Sequence, residues 1–421
     1  MKTLSLFSLI ALSYGTTLFA GTVFQKPETE YNTPEYDPCS PCNCEEGTCH
    51  PHHKPYCSGF FITADFLYWQ ANESQIDYAD RVHTAPNQLA FDGKDFTVHP
   101  DFKPGFRVGA GGYFGENYKW ELYANWTRFH THGNSSQKVP NLLINPYTFT
   151  QFNSFLGAPV FSQTDFLIPN WWSGILGPRS LAASARWILH FDIWDLELGR
   201  EIQIGNKFAI RPHAGARAAR IHQRYNADYT SFWTSIDAVN IFATTNNVHF
   251  FIGDTAFRAS NDFRGIGIEG GADIWWEFLP SFSLFAQFGG SLLYGEFKIH
   301  EKFQGFVNVQ NLTTQLQLTP LETKIRKDIH EIVGNFETLL GFEWQYFFNC
   351  EKARFSLMAG YEMGIWFRQN QMFTINSGVD ATTFPQGGGN IAARGDFILT
   401  ETELTGNLTL QGLTVRASVD F

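Results

Sequence analysis

The final residues of the chain alternate in character. Leu413, Val415, Ala417, Val419 and Phe421 share one parity, and Thr414, Arg416, Ser418 and Asp420 the other. A period of two marks a β-strand with one apolar and one polar face, and about 9 to 11 tilted residues of this kind cross a bilayer. The same alternation puts Phe60, Ile62, Ala64, Phe66 and Tyr68 on one face of a first strand. Phe106, Val108, Ala110, Gly112 and Phe114 form a second such row, and Trp120, Leu122, Ala124 and Trp126 a third. Ala185, Trp187, Leu189, Phe191 and Ile193 predict a fourth lipid-facing row, and Phe208, Ile210, Ala214, Ala216 and Ala218 a fifth. Ile266–Trp276, Phe282–Tyr294, Ile332–Trp344 and Phe355–Phe367 supply four more. Pro212, which cannot donate to a ladder, predicts a bulge or a strand end. The change of apolar parity between Leu410 and Leu413 predicts a bulge at Gly412.

The links between these strands alternate in length. Gly115–Tyr118, Gly199–Asn206, Phe278–Ser281 and Phe348–Lys352 are short, whereas Arg81–Asp101, Gly133–Ser180, Asn226–Asp262, His300–Lys327 and Asn370–Arg394 are long. Short periplasmic turns and long external loops are the habit of outer-membrane barrels. The fold class expected is therefore all-β, a transmembrane antiparallel up-and-down β-barrel of about 10 strands with both termini periplasmic. A further hairpin within Gly133–Ser180 or Phe397–Leu404 would raise the number to 12 or more.

Composition extends this picture. Met1 and Lys2 precede an apolar segment from Leu4 to Ala20, which reads as a signal peptide over residues 1–20, followed by a cysteine-rich periplasmic segment over 21–58 and the barrel over 59–421. Beyond the leader no run reaches about 18 apolar residues, which excludes helical membrane spans. The 42 Phe, 15 Tyr and 12 Trp suit a lipid face with aromatic girdles. The formal net charge of −11 excludes nucleic acid as the expected partner. The expected location is the bacterial outer membrane. The terminal Phe421 reads as the signal taken up by the outer-membrane assembly machinery.

ADFLYW at Ala64–Trp69, WDLELGR at Trp194–Arg200, IRPHAGAR at Ile210–Arg217 and LQGLTVRASVDF at Leu410–Phe421 together resemble the major-outer-membrane-protein-like porin family of Legionella and environmental chlamydiae. With the strand order, the resemblance covers most of Gly59–Phe421. It implies a pore for passive diffusion of ions and small hydrophilic solutes.

If the apolar rows face lipid, the opposite faces line the interior. The pore-lining candidates are Arg107, Arg186, Asp192, Arg211, His213, Arg217, Glu269, Asp273, Glu337, Glu343, Arg354, Glu362 and Arg368, accompanied by Asp65, Glu121, His190, Arg416 and Asp420. A central Arg or Lys against lipid costs about 2–4 kcal/mol, so such residues must meet water or each other. Arg211 and Arg217 are expected beside Glu269 and Asp273. Charged rings set pore selectivity, yet small barrels fill themselves with side chains, and ten strands fall between the two regimes. Arg220, His222 and Arg224 suggest an anion-attracting external vestibule, or simply a solvated strand end.

Cys39, Cys42, Cys44, Cys49 and Cys57 precede the first strand, and Cys350 lies in a short link on the same side of the membrane. In an oxidising compartment six cysteines suggest disulfides, within the chain, between copies or to other envelope proteins, in any of 15 intramolecular pairings. A zinc site built from Cys39, Cys42, Cys44 and Cys49 with His50, His52 and His53 is the weaker reading. No cofactor is expected.

Catalytic motifs fail. Gly265, Gly267 and Gly270 spell GxGxxG, but inside a strand pattern rather than at a strand-to-helix turn. His330-Glu331 meets Gly334 where a zincin needs its second histidine. The expectation is a non-enzyme. A barrel protease using His130, His132, Asp228, Asp237 or Asp254 is the outlying alternative, and an adhesive role for the aromatic segment Asn141–Trp172 is another.

Overall fold

The computed structural model describes residues 59–84, 93–115, 119–139, 164–174, 179–236, 248–310, 316–348, 353–380 and 396–421. The expected leader, the cysteine-rich segment and all six cysteines lie outside the described residues. In chain order the strands are β1 (Phe60–Glu73), β2 (Ala79–Thr84), β3 (Lys94–Phe96), β4 (Lys103–Phe114), β5 (Trp120–Lys138), β6 (Thr164–Pro169), β7 (Trp172–Gly174), β8 (Arg179–Arg200) and β9 (Ile202–Ile204). They continue as β10 (Phe208–Ile236), β11 (Val248–Leu279), β12 (Phe282–Gln310), β13 (Leu316–Phe348), β14 (Ala353–Asn370), β15 (Phe373–Asp380), β16 (Asp396–Glu403) and β17 (Gly406–Asp420).

Ten of them close a ring. The order β8–β5–β4–β1–β17–β14–β13–β12–β11–β10 is completed by pairing of β10 with β8, so the wall has no free edge. The first and last wall strands meet directly, with Ile62 opposite Val419, Asp65 opposite Arg416 and Trp69 opposite Gly412. At this seam the Phe421 N–H donates to the Phe60 carbonyl at 3.0 Å, and the Phe60 N–H donates to the Phe421 carbonyl at 3.1 Å. The hairpin suspected near Phe397–Leu404 exists, as β15 and β16, but it joins β7 in a separate three-stranded sheet and leaves the wall at ten.

The strands are far longer than a crossing requires. β13 has 33 residues and β11 has 32, about three times the membrane minimum. Much of what reads as external loop, notably Asn226–Ile236 with Val248–Asp262, is paired strand. Outward-facing residues define the lipid zone. On β12 it runs from Phe282 to Tyr294, both exposed, a rise of about 30 Å for a tilted strand. Trp120, Trp276 and Trp344 mark its periplasmic rim, and Tyr68, Trp194 and Tyr294, all exposed, its external rim.

Above that external rim the two faces of the wall exchange chemistry without a change of phase. On β8, Trp194, Leu196 and Leu198 face outward, whereas Ala185, Trp187, Leu189, Phe191 and Ile193 are buried inside. The fourth row expected to touch lipid is therefore an interior row. Outside the bilayer the outer face meets water and becomes polar, while the inner face becomes a hydrophobic core. Gly412 has the same explanation. Pairing with β1 runs in register from Leu408 to Asp420, so no bulge forms there. Leu408 and Leu410 are buried inside the barrel and Leu413 is exposed outside it. A Cβ at Gly412 would lie 2.2 Å from the Tyr68 carbonyl oxygen. Pro212 falls where β10 passes from β8, last paired at His213, to β9, first paired at Ile210, a strand junction that needs no donor from it.

Candidate functional site

Within the lipid zone the lumen is a network of ion pairs. At its periplasmic end Arg354 Nε lies 2.5 Å from Asp420, and the Tyr113 hydroxyl donates to the same carboxylate at 3.2 Å. Asp65 joins Arg416 at 3.0 Å and Arg107 at 3.2 Å. Arg211 sits among Asp273 at 2.6 Å, Glu121 at 2.9 Å and Glu197 at 3.2 Å. Arg217 contacts Asp195 at 2.7 Å, Glu337 at 2.8 Å and Glu269 at 3.0 Å. These groups are held there by the period of two, which sends every second residue of each wall strand inward. Glu343 accepts from the Trp275 indole at 2.7 Å, and His213 lies 4.0 Å from both Glu197 and Asp273.

Some of these pairs are between neighbouring strands and some are not. Arg211–Asp273 and Arg217–Glu269 link β10 to β11. Arg217–Glu337 and Arg107–Glu362, the latter at 2.7 Å, each span two intervening strands and cross the lumen. Among the described residues the network holds five arginines, Arg107, Arg211, Arg217, Arg354 and Arg416. Against them stand ten carboxylates, Asp65, Glu121, Asp195, Glu197, Glu269, Asp273, Glu337, Glu343, Glu362 and Asp420. The lumen is thus rich in negative charge. Asp195, Glu197 and Glu269 bring carboxylate oxygens within 4.8 Å of one another, but the Arg217 and Arg211 guanidiniums already occupy the place of a cation there.

Two cavities lie along this network. One of about 100 Å³ is lined by Glu121, Glu343, Arg354 and Asp420, and one of about 60 Å³ by Arg107, Asp195, Glu337 and Glu362. Their walls share Tyr123, Arg211, Asp273 and Arg416, which border both. Each has room for a few waters.

Above the network the bore is closed by an aromatic plug. Trp69, Phe129, Trp187, Phe191, Tyr225, Phe257, Phe263, Phe297 and Trp366 project inward and are buried. Three segments from outside the wall pack into them. Trp171, before β7, stacks on Phe257 at 4.4 Å and approaches Tyr225 at 4.9 Å. Ile76 and Tyr78, between β1 and β2, are fully buried, and their carbonyls accept from the Tyr225 and Tyr229 hydroxyls at 3.0 and 2.7 Å. Met372 and Phe373 form the third insert, and the Phe373 N–H donates to Glu301 at 2.8 Å. Burial pushes the Glu301 carboxyl up to about 8, and that of Glu73, at the plug end of β1, also to about 8.

Of the residues expected inside, Arg107, Arg211, His213, Arg217, Glu269, Asp273, Glu337, Glu343, Arg354 and Glu362 face the interior. Arg186, His190 and Asp192 do not. They lie on the outer face of β8, above the rim where that face meets water. Arg368 is also outside the network. It adopts a left-handed φ of 56° at the irregularity between Trp366 and Asn370, is exposed and pairs with Glu331 at 3.1 Å. Arg220, His222 and Arg224 point outward from β10 rather than into a vestibule. Sequence reasoning missed Asp195 and Glu197, which share the parity of Ile193, on the face assigned to lipid. The adjacent apolar pair Ile193-Trp194 is the signal that marks the exchange.

The other sequence features are placed as follows. Gly265, Gly267 and Gly270 lie within β11, where a Cβ at Gly267 would come within 1.9 Å of the Leu292 carbonyl oxygen. His130, His132, Asp228 and Asp254 occupy outward-facing wall positions, and Asp237 lies outside the described residues. Phe421 is exposed at the periplasmic rim.

No curated protein matches the chain. Among solved structures it is similar to the outer membrane protease OmpT from Escherichia coli, at 9% identity and a TM-score of 0.32 over 86% of this chain and 96% of that one. It is also similar to a Pseudomonas aeruginosa FadL homologue, at 8% identity and a TM-score of 0.20 over 86% and 89%. The toluene transporter TodX of P. putida gives 9% identity and a TM-score of 0.20 over 86% and 90%. A family match over residues 54–421 takes in the whole wall. With its closed ring of strands and apolar outer belt, the chain is an outer-membrane β-barrel and belongs to the family described as Legionella pneumophila major outer membrane protein precursor.

Proposed function

We propose that this barrel is a narrow, gated pore for passive diffusion of small hydrophilic species, with a preference for cations. The observation that carries the reading is the ionic lumen, which sets ten carboxylates against five arginines, most of them lining two abutting cavities. Excess lumenal charge selects counter-charged permeants, and polar walls tolerate the water that must accompany them. The aromatic plug is then the gate at the external mouth, and the wall shared by the two cavities, with Arg211 and Arg416, is where a permeant passes from one to the other. Transport rather than catalysis is the role that the charged lumen supports.

A second reading has an observation of its own. The ion pairs that cross the lumen and the inserted tryptophan suit a permanently closed barrel serving as an envelope scaffold, tied by the N-terminal cysteines and Cys350 to itself, to further copies or to other envelope proteins. Reconstitution into planar bilayers separates the two. Stepwise, cation-preferring conductance is expected of the pore. A folded, heat-modifiable barrel that stays silent at all voltages, with thiol-sensitive ladders on non-reducing gels, would replace it with the scaffold.

A further inference from the structure

On the outer face, beyond the external rim, three adjacent wall strands carry a row of imidazoles. His130 on β5 is opposite His190 on β8, and His190 is opposite His222 on β10. The row lies two outward positions past Trp194, about 13 Å along the strand, and so stands in water. His132 follows His130 by one outward position on β5. A His-x-His pair on one strand thus faces a third histidine across the ladder, with a fourth beside that.

The side chains are already gathered. The His130 and His190 rings are 4.4 Å apart between centres, and those of His190 and His222 are 5.9 Å apart. Two imidazoles on one tetrahedral zinc, with metal–nitrogen bonds of about 2.0–2.1 Å, have centres about 5 Å apart, between these two values. The Arg128 Nε–H donates to His130 Nε2 at 3.4 Å, so that nitrogen offers a lone pair. Burial, then the neighbouring His190 and Arg128, hold His130 below the ordinary imidazole range against the pull of Asp192. Burial also lowers His222, opposed by Asp262 and helped by His190, Arg224 and Arg220. Both rings are neutral near pH 7, the form in which imidazole binds a metal.

The charges around the row decide which ligand it suits. Arg128, Arg220 and Arg224 stand against Asp192 and Asp262, a near balance that draws in neither a polyanion nor a hard cation. Calcium takes six to eight oxygen ligands and magnesium keeps its waters, whereas imidazole suits zinc, copper and nickel. If a metal displaces Arg128 from His130, that guanidinium keeps Asp192 at 3.8 Å and the Trp126 ring at 5.7 Å.

We infer that this row binds a divalent transition-metal ion, held by His130 and His190 with a third nitrogen from His132 or His222, and that the ion pins β5 to β8 above the membrane. The site is independent of conduction.

The test is acylation by diethyl pyrocarbonate of the detergent-folded full-length protein, with each histidine read separately by mass spectrometry. Zinc bound by the N-terminal cysteines then does not enter the result. Zinc in about tenfold excess over its dissociation constant should slow labelling of His130 and His190 by about tenfold, and leave the exposed His300 and His330 unchanged. Calcium should protect none of them. In His190→Gln the protection of His130 should be lost. Equal labelling of His130 and His190 with and without zinc, equal protection by calcium, or full protection of His130 in His190→Gln would overturn the proposal. The wild-type labelling decides alone should the variant fail to fold.

Discussion

Arg217 on β10 places a guanidinium nitrogen 2.8 Å from a carboxylate oxygen of Glu337 on β13, reaching past two strands to bridge the bore of the barrel. Arg107 does the same with Glu362 at 2.7 Å. Any permeant must pass these two bridges or displace them. Replacing both acids, as Glu337→Gln with Glu362→Gln, removes the struts while leaving each arginine at least one carboxylate partner, Asp195 or Asp65. Single-channel conductance is expected to rise several-fold with the barrel still heat-modifiable. Arg217→Met is the contrasting change. It strands Asp195, Glu269 and Glu337 together, and breaking a buried pair in this way costs about 3–5 kcal/mol, to be read in urea unfolding.

The charge excess of the lumen predicts its selectivity. In a tenfold KCl gradient the reversal potential should have the sign of a potassium-preferring pore. Glu121→Gln and Glu343→Gln, in the wall of the larger cavity, should each shift it toward zero. An anion-preferring potential in the wild type would contradict the charge argument.

Trp171 is a buried external residue of the plug, in contact with Phe257 and Tyr225. Trp171→Ala should weaken the packing of the plug by about 3–5 kcal/mol, as for other buried tryptophans. More frequent channel openings and faster hydrogen exchange at Ile76–Tyr78 are expected, with unchanged exchange in the lipid-zone strands.

Titration of the plug has a definite sign. The carboxyls of Glu301 and Glu73 are held at about 8 when buried, against about 4.5 when free. Between pH 4.5 and 8 the open form loses these protons and the closed form keeps them, so closure weakens as pH rises. Glu301 faces the Phe373 N–H, Lys327 and Glu401, and neither charged neighbour outweighs its burial. Exchange at Gln369–Ile375, corrected for the intrinsic base-catalysed rate, should therefore increase through this window. Glu301→Gln should flatten most of the increase.

The sequence carried the fold well and the site in part, and the dividing line is physical. Rows such as Ile62–Phe66, Ile266–Ile268 and Leu413–Phe421 were legible because lipid lies outside and polar groups inside, so parity alone gives the facing. In β8 the apolar row Ala185–Ile193 is as regular as any of these, yet it faces inward, because that stretch stands in water above the membrane. Parity cannot tell two solvents apart. Only the adjacent pair Ile193-Trp194 records where one gives way to the other. The same exchange moved Arg186, His190 and Asp192 outward and hid Asp195 and Glu197. The struts were beyond reach for a different reason, since partners such as Arg107 and Glu362 are brought together by ring closure and not by strand adjacency.

The seam between β1 and β17 carries a consequence for biogenesis. Asp65 and Arg416 are 351 positions apart, so the contact that seals the wall is also among the most distant in the chain. Loop-closure entropy makes such a contact slow to form. Until it forms, both terminal wall strands present unpaired edges that invite pairing with other chains. The step at which this protein most needs an escort is therefore the last zipping of Phe60–Glu73 against Gly406–Asp420, and mutations along that seam should reveal themselves as aggregation during assembly before they alter the finished barrel.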